Sequence, residues 1–470
     1  MTLPAAAQLT IVVGLARSGI GVARLLRARG QAVRLIESQD TAELQARAET
    51  LRREGIDVQL GIPLDPDALG PLPPRTVVVV SPGIRWDHPA LVELRRLGVA
   101  VQGDLLPAWQ ASGSTPWIAI TGTNGKTTVT HLVSHLLQAG GLTAPMGGNV
   151  GFSGAELVLE HCLRAARPPD WLVMEMSSYQ IEASPQIAPA IGVWTTLTPD
   201  HLERHGTLEA YRAIKRGLLE RSSMRILNAD DPDLRAHASS WHAPVQWITA
   251  GPRAALPATI EPLLWIEQEQ VWQRASPGGE PSRLMEATCL AMPGAHNRQN
   301  LLMAAAAGLR AGLSGAQMGA AFRAFPGVPH RLERIREHAG IHWFNDSKAT
   351  NYDAAEVALK ALEGPLVALA GGQSKRGDAS AWVAALRQNA AAVVLFGAAA
   401  EELAERLRGG GYGGELRRCD GMTEAVALAA ELAPMLGCAA VLLSPACASF
   451  DQYSDFEARG NHFRQLVQAL

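Results

Sequence analysis

The chain has 470 residues, room for roughly three domains at about 150 residues each, with a core in every one. Its 42 basic and 45 acidic side chains leave a formal net charge of −3, which gives no electrostatic footing for nucleic acid or an anionic membrane. Five cysteines without a Cys-x-x-Cys pair read as buried thiols of a reducing cytosol, not as bridges or metal ligands.

Met1-Thr2-Leu3-Pro4 lacks the basic head of a signal peptide. No apolar run reaches the ~18 residues of a membrane span, so a cytoplasmic protein without membrane insertion is expected. Residues 9–13 read as an apolar strand running into Gly14-Leu15-Ala16-Arg17-Ser18-Gly19. The next helix turns Val22, Leu25 and Leu26 inward and Arg24 and Arg27 outward, and stops at Gly30. A second strand over 32–36 ends at Glu37, followed by Ser38. This is the βαβ opening of a nucleotide-binding sheet, with Ala16 in place of the middle glycine and an acid about 20 residues on that suits a ribose hydroxyl. A plain doubly wound turn shares the pattern. Val77 to Val80 reads as a buried parallel strand feeding Ser81-Pro82-Gly83 at its carboxyl end. Residues 103–114 read as a boundary, which sets the first domain at 1–112.

The second domain, 113–326, opens on an apolar strand that turns at Thr121-Gly122-Thr123-Asn124-Gly125-Lys126-Thr127-Thr128 and becomes a helix. Glycines let several N–H groups face one anion, the helix adds its positive end, Lys126 reaches outer phosphates and Thr127 suits magnesium. Ile120 stands where the common phosphate loop has its first glycine, so the motif is a shortened form. Gly147-Gly148-Asn149-Val150-Gly151 is a flexible loop with one polar side chain. A strand over 171–174 carries Glu175 at its end, with Ser177, Ser178 and Gln180 beyond. The strand 191–195 leads into Thr198-Pro199-Asp200-His201, and a helix from about Leu208 carries Lys215. Glu175 and His201 each follow a strand, and with phosphate oxygens they make a reasonable magnesium shell. Residues 241–290 read as short strands with turns, and His296-Asn297-Arg298-Gln299-Asn300 opens an alanine-rich helix.

Pro326-Gly327-Val328-Pro329-His330-Arg331 is a stiff linker, beyond which the βα alternation restarts in a third domain, 327–470. Strands over 341–344, 366–370, 393–396 and 440–443 place Lys348, Lys375 and Ser449 at their carboxyl ends. Cations and hydroxyls gathered there suit an acidic small molecule. The chain keeps five lysines among its 42 basic residues, at 126, 215, 348, 360 and 375. A lysine kept where arginine is the general cation points to work that needs an ammonium or a nucleophilic amine. Lys360, on a helix face, is ordinary.

Taken together, Thr121 to Thr128, Gly147 to Gly151, Glu175 to Gln180, Asp200-His201, His296 to Asn300, His330-Arg331, Asn345 to Asn351 and Ser444 to Gly460 resemble the Mur ligases of peptidoglycan synthesis, end to end. The Asp-Ser-Lys-Ala-Thr-Asn and Ser-Pro-Ala-Cys-Ala-Ser-Phe-Asp-Gln stretches resemble the glutamate-adding branch. The resemblance implies an α/β fold of three domains: Rossmann-like, P-loop-type ATPase, and Rossmann-like again. It implies ATP-driven joining of glutamate to UDP-N-acetylmuramoyl-L-alanine through an acyl phosphate, by a monomer with two magnesium ions. Lys126, Glu175, His201 and Lys215 would be catalytic. Thr127, Glu175, His201 and a carbamylated Lys215 would hold metal. Gly122 through Thr128, Asn297, Asn300, Arg331 and Asp346 would bind ATP. Gly14, Leu15, Ala16, Glu37, Ser38, Asn149 and Gln180 would bind the uridine sugar, and Lys348, Thr350, Lys375, Ser449 and Phe456 the glutamate. Thr196 stands where the family usually has asparagine, and Gln373-Ser374 replaces a more usual Asp-Gly. D- or L-glutamate, a folylpolyglutamate-type ligase and an ATP-gated sensor with a degenerate ligase fold stay open.

Overall fold

The computed structural model describes residues 9–241, 245–274, 279–292, 294–374 and 377–470. Among these the chain forms three sheets and divides into two compact units, Met1–Ala291 with Ala295–Ala324, and Met292–Gly294 with Phe325–Leu470. The first unit holds two of the sheets and the second unit the third.

The first sheet is parallel throughout: β1 (Thr10–Val13), β2 (Val33–Glu37), β3 (Asp57–Leu60), β4 (Val77–Val80) and β5 (Ala100–Gly103), in the order β3-β2-β1-β4-β5. Unbroken valine and isoleucine runs are what a strand covered on both faces requires, and β1 is buried throughout. The order reverses between β1 and β4, so the crevice at their carboxyl ends is the switch point. The helix Arg17–Ala28 buries Val22, Leu25 and Leu26, as its periodicity predicts. Its N-cap is Ala16, in extended backbone (φ −103°, ψ 178°), so alanine sits there without strain.

The second sheet runs β14-β13-β12-β11-β10-β9-β6-β8-β7. Its strands are β6 (Trp117–Thr121), β7 (Met146–Gly148), β8 (Leu172–Glu175), β9 (Ile191–Trp194), β10 (Met224–Asn228), β11 (Val245–Thr249), β12 (Pro262–Glu267), β13 (Gln270–Gln273) and β14 (Ser282–Glu286). It is parallel from β7 to β12 and closes with an antiparallel β12–β14 meander, the short strands expected over 241–290. The wholly buried β6 lies between β8 and β9 and points its carboxyl end at the shared edge.

The expected boundary segment, 103–114, carries an element of its own. Residues Leu105–Ala111 form a helix with Leu105, Leu106, Pro107 and Ala108 buried. Flanking Gly103, Ser112 and Gly113 look like linker punctuation, but the Leu-Leu-Pro-Ala segment packs inward. One hydrophobic cluster spans both sheets of this unit, taking in Leu25, Leu105, Trp117, Leu157 and Met174. Glycines make the close approach. A Cβ on Gly21 would lie 2.2 Å from Ser153 Oγ, and one on Gly154 2.5 Å from Leu105 Cδ2.

The third sheet has β15 (Glu333–His338), β16 (Ile341–Asn345), β17 (Leu366–Gly371), β18 (Ala390–Phe396), β19 (Glu415–Cys419) and β20 (Ala440–Leu443), in the order β15-β16-β20-β17-β18-β19. Only the β15–β16 edge among these pairs is antiparallel. Alternate residues of β17, Ala368 and Val367 for instance, feed separate hydrophobic clusters on opposite faces. The cysteine reading needs one correction. Cys289, Cys438 and Cys447 are buried, but Cys162 and Cys419 are half-buried, because one sits on a surface turn of helix and the other on edge strand β19. No helix among the described residues is long and apolar enough to cross a membrane.

Candidate active site

The loop after β6 is shaped by two left-handed glycines, Gly122 (φ +150°) and Gly125 (φ +81°). Gly125 caps the helix Lys126–Ala139, whose first turn carries no acidic residue, so its positive end stays available to an anion. A Cβ on Gly122 would stand 1.9 Å from Thr195 Oγ1. The end of β9 braces the loop from the other side. Thr195 Oγ donates to Asn124 O, Asn124 N donates to Thr196 Oγ1 at 3.0 Å, and Thr123 N donates to Thr196 O at 2.8 Å. Thr196 therefore does useful work where asparagine was expected. Lys126 Nζ lies back on its own loop, donating to Gly122 O at 3.0 Å and Thr123 O at 2.8 Å. Asn297 and Asn300, expected among the ATP-binding residues, are both buried and bonded to each other at 2.9 Å. Asn300 Oδ1 stands 2.9 Å from where a Cβ on Gly125 would be, so it faces the phosphate loop.

Lys215 is 1% exposed. Its Nζ donates to Thr121 Oγ1 at 3.2 Å and Gly122 O at 3.0 Å, and lies 4.5 Å from the centre of the Tyr211 ring. Burial, then the nearby Lys126 ammonium, hold its pKa well below the ordinary lysine value against the opposing pull of Asp200 and Glu175. Glu175 ends β8, next to β6, and is 2% exposed. Asn149 Nδ2 donates to its Oε1 at 2.9 Å, while Oε2 is buried without a hydrogen-bond partner. A buried carboxylate oxygen left in this way is an acceptor awaiting a cation or a donor. His201 is more exposed and has left-handed backbone (φ +54°). It sits 3.5 Å from an Asp200 oxygen and 5.2 Å, ring to ring, from Tyr179. His205, which the sequence did not single out, bonds Ser178 Oγ at 2.9 Å and stacks on Tyr211, and burial followed by the Arg204 charge lowers its pKa to about 4. Among the described residues no group of three His, Cys, Asp or Glu side chains forms a ready metal cage. The set fits a hard cation whose shell is completed by ligand oxygens.

On the first sheet, Glu37 Oε2 accepts from Leu15 N at 3.0 Å, and Gly14 (φ +102°) packs on Ser81. Burial raises the Glu37 pKa, but donors from Leu15, Gln39 and Ser38 outweigh it and hold the carboxylate low. Ser38 Oγ donates to Glu37 at 3.2 Å. Gly14, Leu15, Ala16, Glu37 and Ser38 thus share one strand-end crevice. Asn149 lies apart from it, beside Glu175. Gln180 is 1% exposed and already bonded, its Oε1 capping Ser177 and its Nε2 donating to Asp104 Oδ2 at 3.3 Å. Asp104 was not foreseen. Burial, opposed by Gln180 and Ser18, raises its pKa to about 6.

In the second unit, Asp346 is bonded by Ser444 Oγ at 2.9 Å and Leu332 N at 3.2 Å. Burial raises its pKa to about 7. Lys348 Nζ lies 4.5 Å from the Phe456 ring centre, and Ser449 is buried in the loop after β20. Arg331 is exposed and Thr350 half-buried, both on the same loops. Lys375 lies outside the described residues. Arg459, also unforeseen, is fully buried and donates to Ser347 O at 2.9 Å and Cys447 O at 3.1 Å, tying two strand-end loops together.

Comparison with known proteins places these features. Residues 8–103 match the Mur ligase MurD-like N-terminal domain, 120–308 the Mur ligase middle domain, and 330–447 the Mur ligase glutamate ligase domain. The chain is 56% identical over 462 residues to a UDP-N-acetylmuramoylalanine–D-glutamate ligase of Synechococcus sp. (strain CC9605), covering 98% of each. It is 46% identical over 462 residues to the protein of that name in Synechocystis sp., covering 98% of this chain and 99% of the relative. A solved UDP-N-acetylmuramate-alanine ligase from Thermotoga maritima shares the fold at TM-score 0.57 and 18% identity, over 98% of this chain and 99% of that one. With that overlap along nearly its whole length, the chain belongs to the Mur ligase family of ATP-dependent, amide-bond-forming ligases.

Proposed function

We propose that this chain joins D-glutamate to UDP-N-acetylmuramoyl-L-alanine in cytoplasmic peptidoglycan precursor synthesis, at the expense of ATP and through an acyl phosphate. The observation that carries the reading is the pairing of a phosphate loop with a buried lysine bonded to that loop's own carbonyl, beside a carboxylate with an unused oxygen. The relatives at up to 56% identity bear the corresponding name.

The nucleotide sugar's carboxylate attacks the ATP γ-phosphorus, ADP leaves, and the glutamate amine then displaces phosphate from the acyl carbon. Lys126 turns from Gly122 O to the γ-phosphate and offsets the charge that builds there. The backbone donors of the Gly122–Gly125 loop hold the phosphate chain in line. Thr127, Glu175 Oε2, His201 and a carbamylated Lys215 would hold magnesium, which supplies neutralisation of phosphate charge when bound. The orphaned Glu175 oxygen fits that role. The lowered Lys215 pKa fits carbamylation: a neutral amine adds to carbon dioxide, releases one proton and becomes an anionic oxygen donor. Glu37 and the Gly14–Ala16 turn face the uridine ribose. Lys348, Thr350, Lys375, Ser449 and Phe456 receive glutamate, the lysines pairing its carboxylates.

Phosphate release by the purified chain tests the proposal. It should require ATP, UDP-N-acetylmuramoyl-L-alanine and D-glutamate together, with L-glutamate and other amino acids inert. Release that ignores the glutamate isomer, or that follows a different amino acid, overturns it.

A further inference from the structure

Asp104 occupies a place that neither the phosphate loop nor the strand-end crevices explain. It follows β5, is 3% exposed, and one of its oxygens, Oδ1, is buried without a partner. Its other oxygen accepts from Gln180 Nε2 at 3.3 Å, and the Ser18 side chain lies near enough to the carboxyl to oppose the rise in its pKa. The Gln180 amide has no freedom to flip, because Oε1 already accepts from Ser177 N at 3.1 Å and Ser177 Oγ at 3.2 Å. Its nitrogen must face Asp104. Ser18 lies in the first turn of the helix Arg17–Ala28 that follows β1 of the first sheet, and Ser177 stands two residues past Glu175 on the second. A single carboxyl at the end of β5 therefore joins the first sheet to the loop that continues from Glu175, with Ser18, just past the Gly14–Ala16 turn, close beside it.

The packing around that bridge leaves little slack. A Cβ on Gly103 would stand 2.7 Å from both Ala183 Cβ and Ser184 Oγ, so β5 abuts the helix Ser178–Ala183 directly. The partners lie 76 positions apart in sequence for Asp104 and Gln180, so the link is tertiary and not a local cap. Asp104 makes no side-chain cap bond to its own helix.

We propose that Asp104 is a positioning residue that sets the separation between the nucleotide-binding turn and the Glu175 strand end, so that one nucleotide-linked acid reaches both. This rests on the substrate reading above. A substrate anchored at one end and reactive at the other is sensitive to the distance between its two sites, and a displacement of about 1 Å costs up to ~100-fold in rate. Ser18 and Gln180 transmit the constraint without touching the reacting atoms.

The test uses the full chain and the nucleotide UDP-N-acetylmuramoyl-L-alanine as probe. Asp104→Leu should raise KM for that nucleotide about tenfold or more, with KM for ATP and for glutamate within about twofold. Asp104→Asn, which keeps an acceptor for Gln180, should recover most of the loss. Calorimetric binding of the nucleotide without ATP separates this proposal from the reaction itself. Wild type that binds the nucleotide but shows no glutamate-dependent turnover defeats the proposed function and leaves the binding comparison in force. Unchanged nucleotide affinity in Asp104→Leu, or in Gln180→Ala should the leucine variant not fold, overturns the positioning role.

Discussion

Lys215 is buried beside a second ammonium, Lys126, and bonded to a hydroxyl and a carbonyl. Burial of a charge without close pairing drives a lysine toward its neutral form. Such an amine is unsuited to anchoring an anion directly but suited to covalent addition, a chemistry that an arginine guanidinium lacks. Lys215→Ala and Lys215→Arg should both lower kcat by about 10²–10³, read as phosphate release. Millimolar short carboxylic acids should partly restore the alanine variant by supplying the missing anionic oxygen, and should do nothing for the arginine variant, whose cavity is filled. Full activity in the alanine variant would remove Lys215 from the machinery. Glu175→Gln keeps the bond from Asn149 yet discards the charge on the orphaned oxygen, so a similar loss is expected there.

At the scale of elements, the phosphate loop keeps its shape through β9 as much as through its own glycines. Thr195 and Thr196 bond Asn124 across 71 and 72 positions of sequence, and Thr196 O also accepts from Thr123 N. Thr196→Ala removes one acceptor from Asn124 N and leaves the backbone bond from Thr123 N to its carbonyl in place. KM for ATP should rise several-fold, since a lost hydrogen bond is worth about 1 kcal/mol, with KM for the nucleotide sugar unchanged. Thr196→Asn, the family's usual residue, should restore it; if both variants behave as wild type, the brace is ornamental. The strand, glycine turn and helix of this loop were legible because apolar runs and glycine spacing are local signals. Alternation of strand and helix likewise announced three α/β domains, and the meander over β12–β14 showed in the loss of helical period. The threonine brace, the Asp104 bridge and the Arg459 tie were not legible, because each depends on partners far away in sequence. The helix Leu105–Ala111 was hidden inside the expected boundary for a related reason: glycine and serine at its ends dominate the local pattern, while its burial is decided by the neighbouring sheet.

At the scale of the whole molecule, the division into two compact units separates two buried acids whose pKa values burial raises, Asp104 in one and Asp346 in the other. Burial lifts Asp346 from the usual 3.8 to about 7. Below the unfolded value both states hold the proton, and the group favours neither. As pH rises toward 7 the folded state keeps a proton that the unfolded chain has released, so ν of the folded state exceeds that of the unfolded state and stability falls with pH. The full effect is at most on the order of 4 kcal/mol between about pH 4 and pH 8. Asp346→Asn abolishes this term, while its amide can still accept from Ser444 Oγ or Leu332 N. Urea unfolding of wild type at pH 5 and pH 8 should therefore show a larger drop than unfolding of the asparagine variant. Asp104→Asn should act in the same direction but less, because Asp104 is raised only to about 6. The two substitutions should add, since the residues sit in separate units with separate hydrophobic clusters. Equal pH slopes in wild type and Asp346→Asn would mean that this carboxyl titrates near its ordinary value, and that hydrogen bonds from Ser444 and Leu332 outweigh its burial.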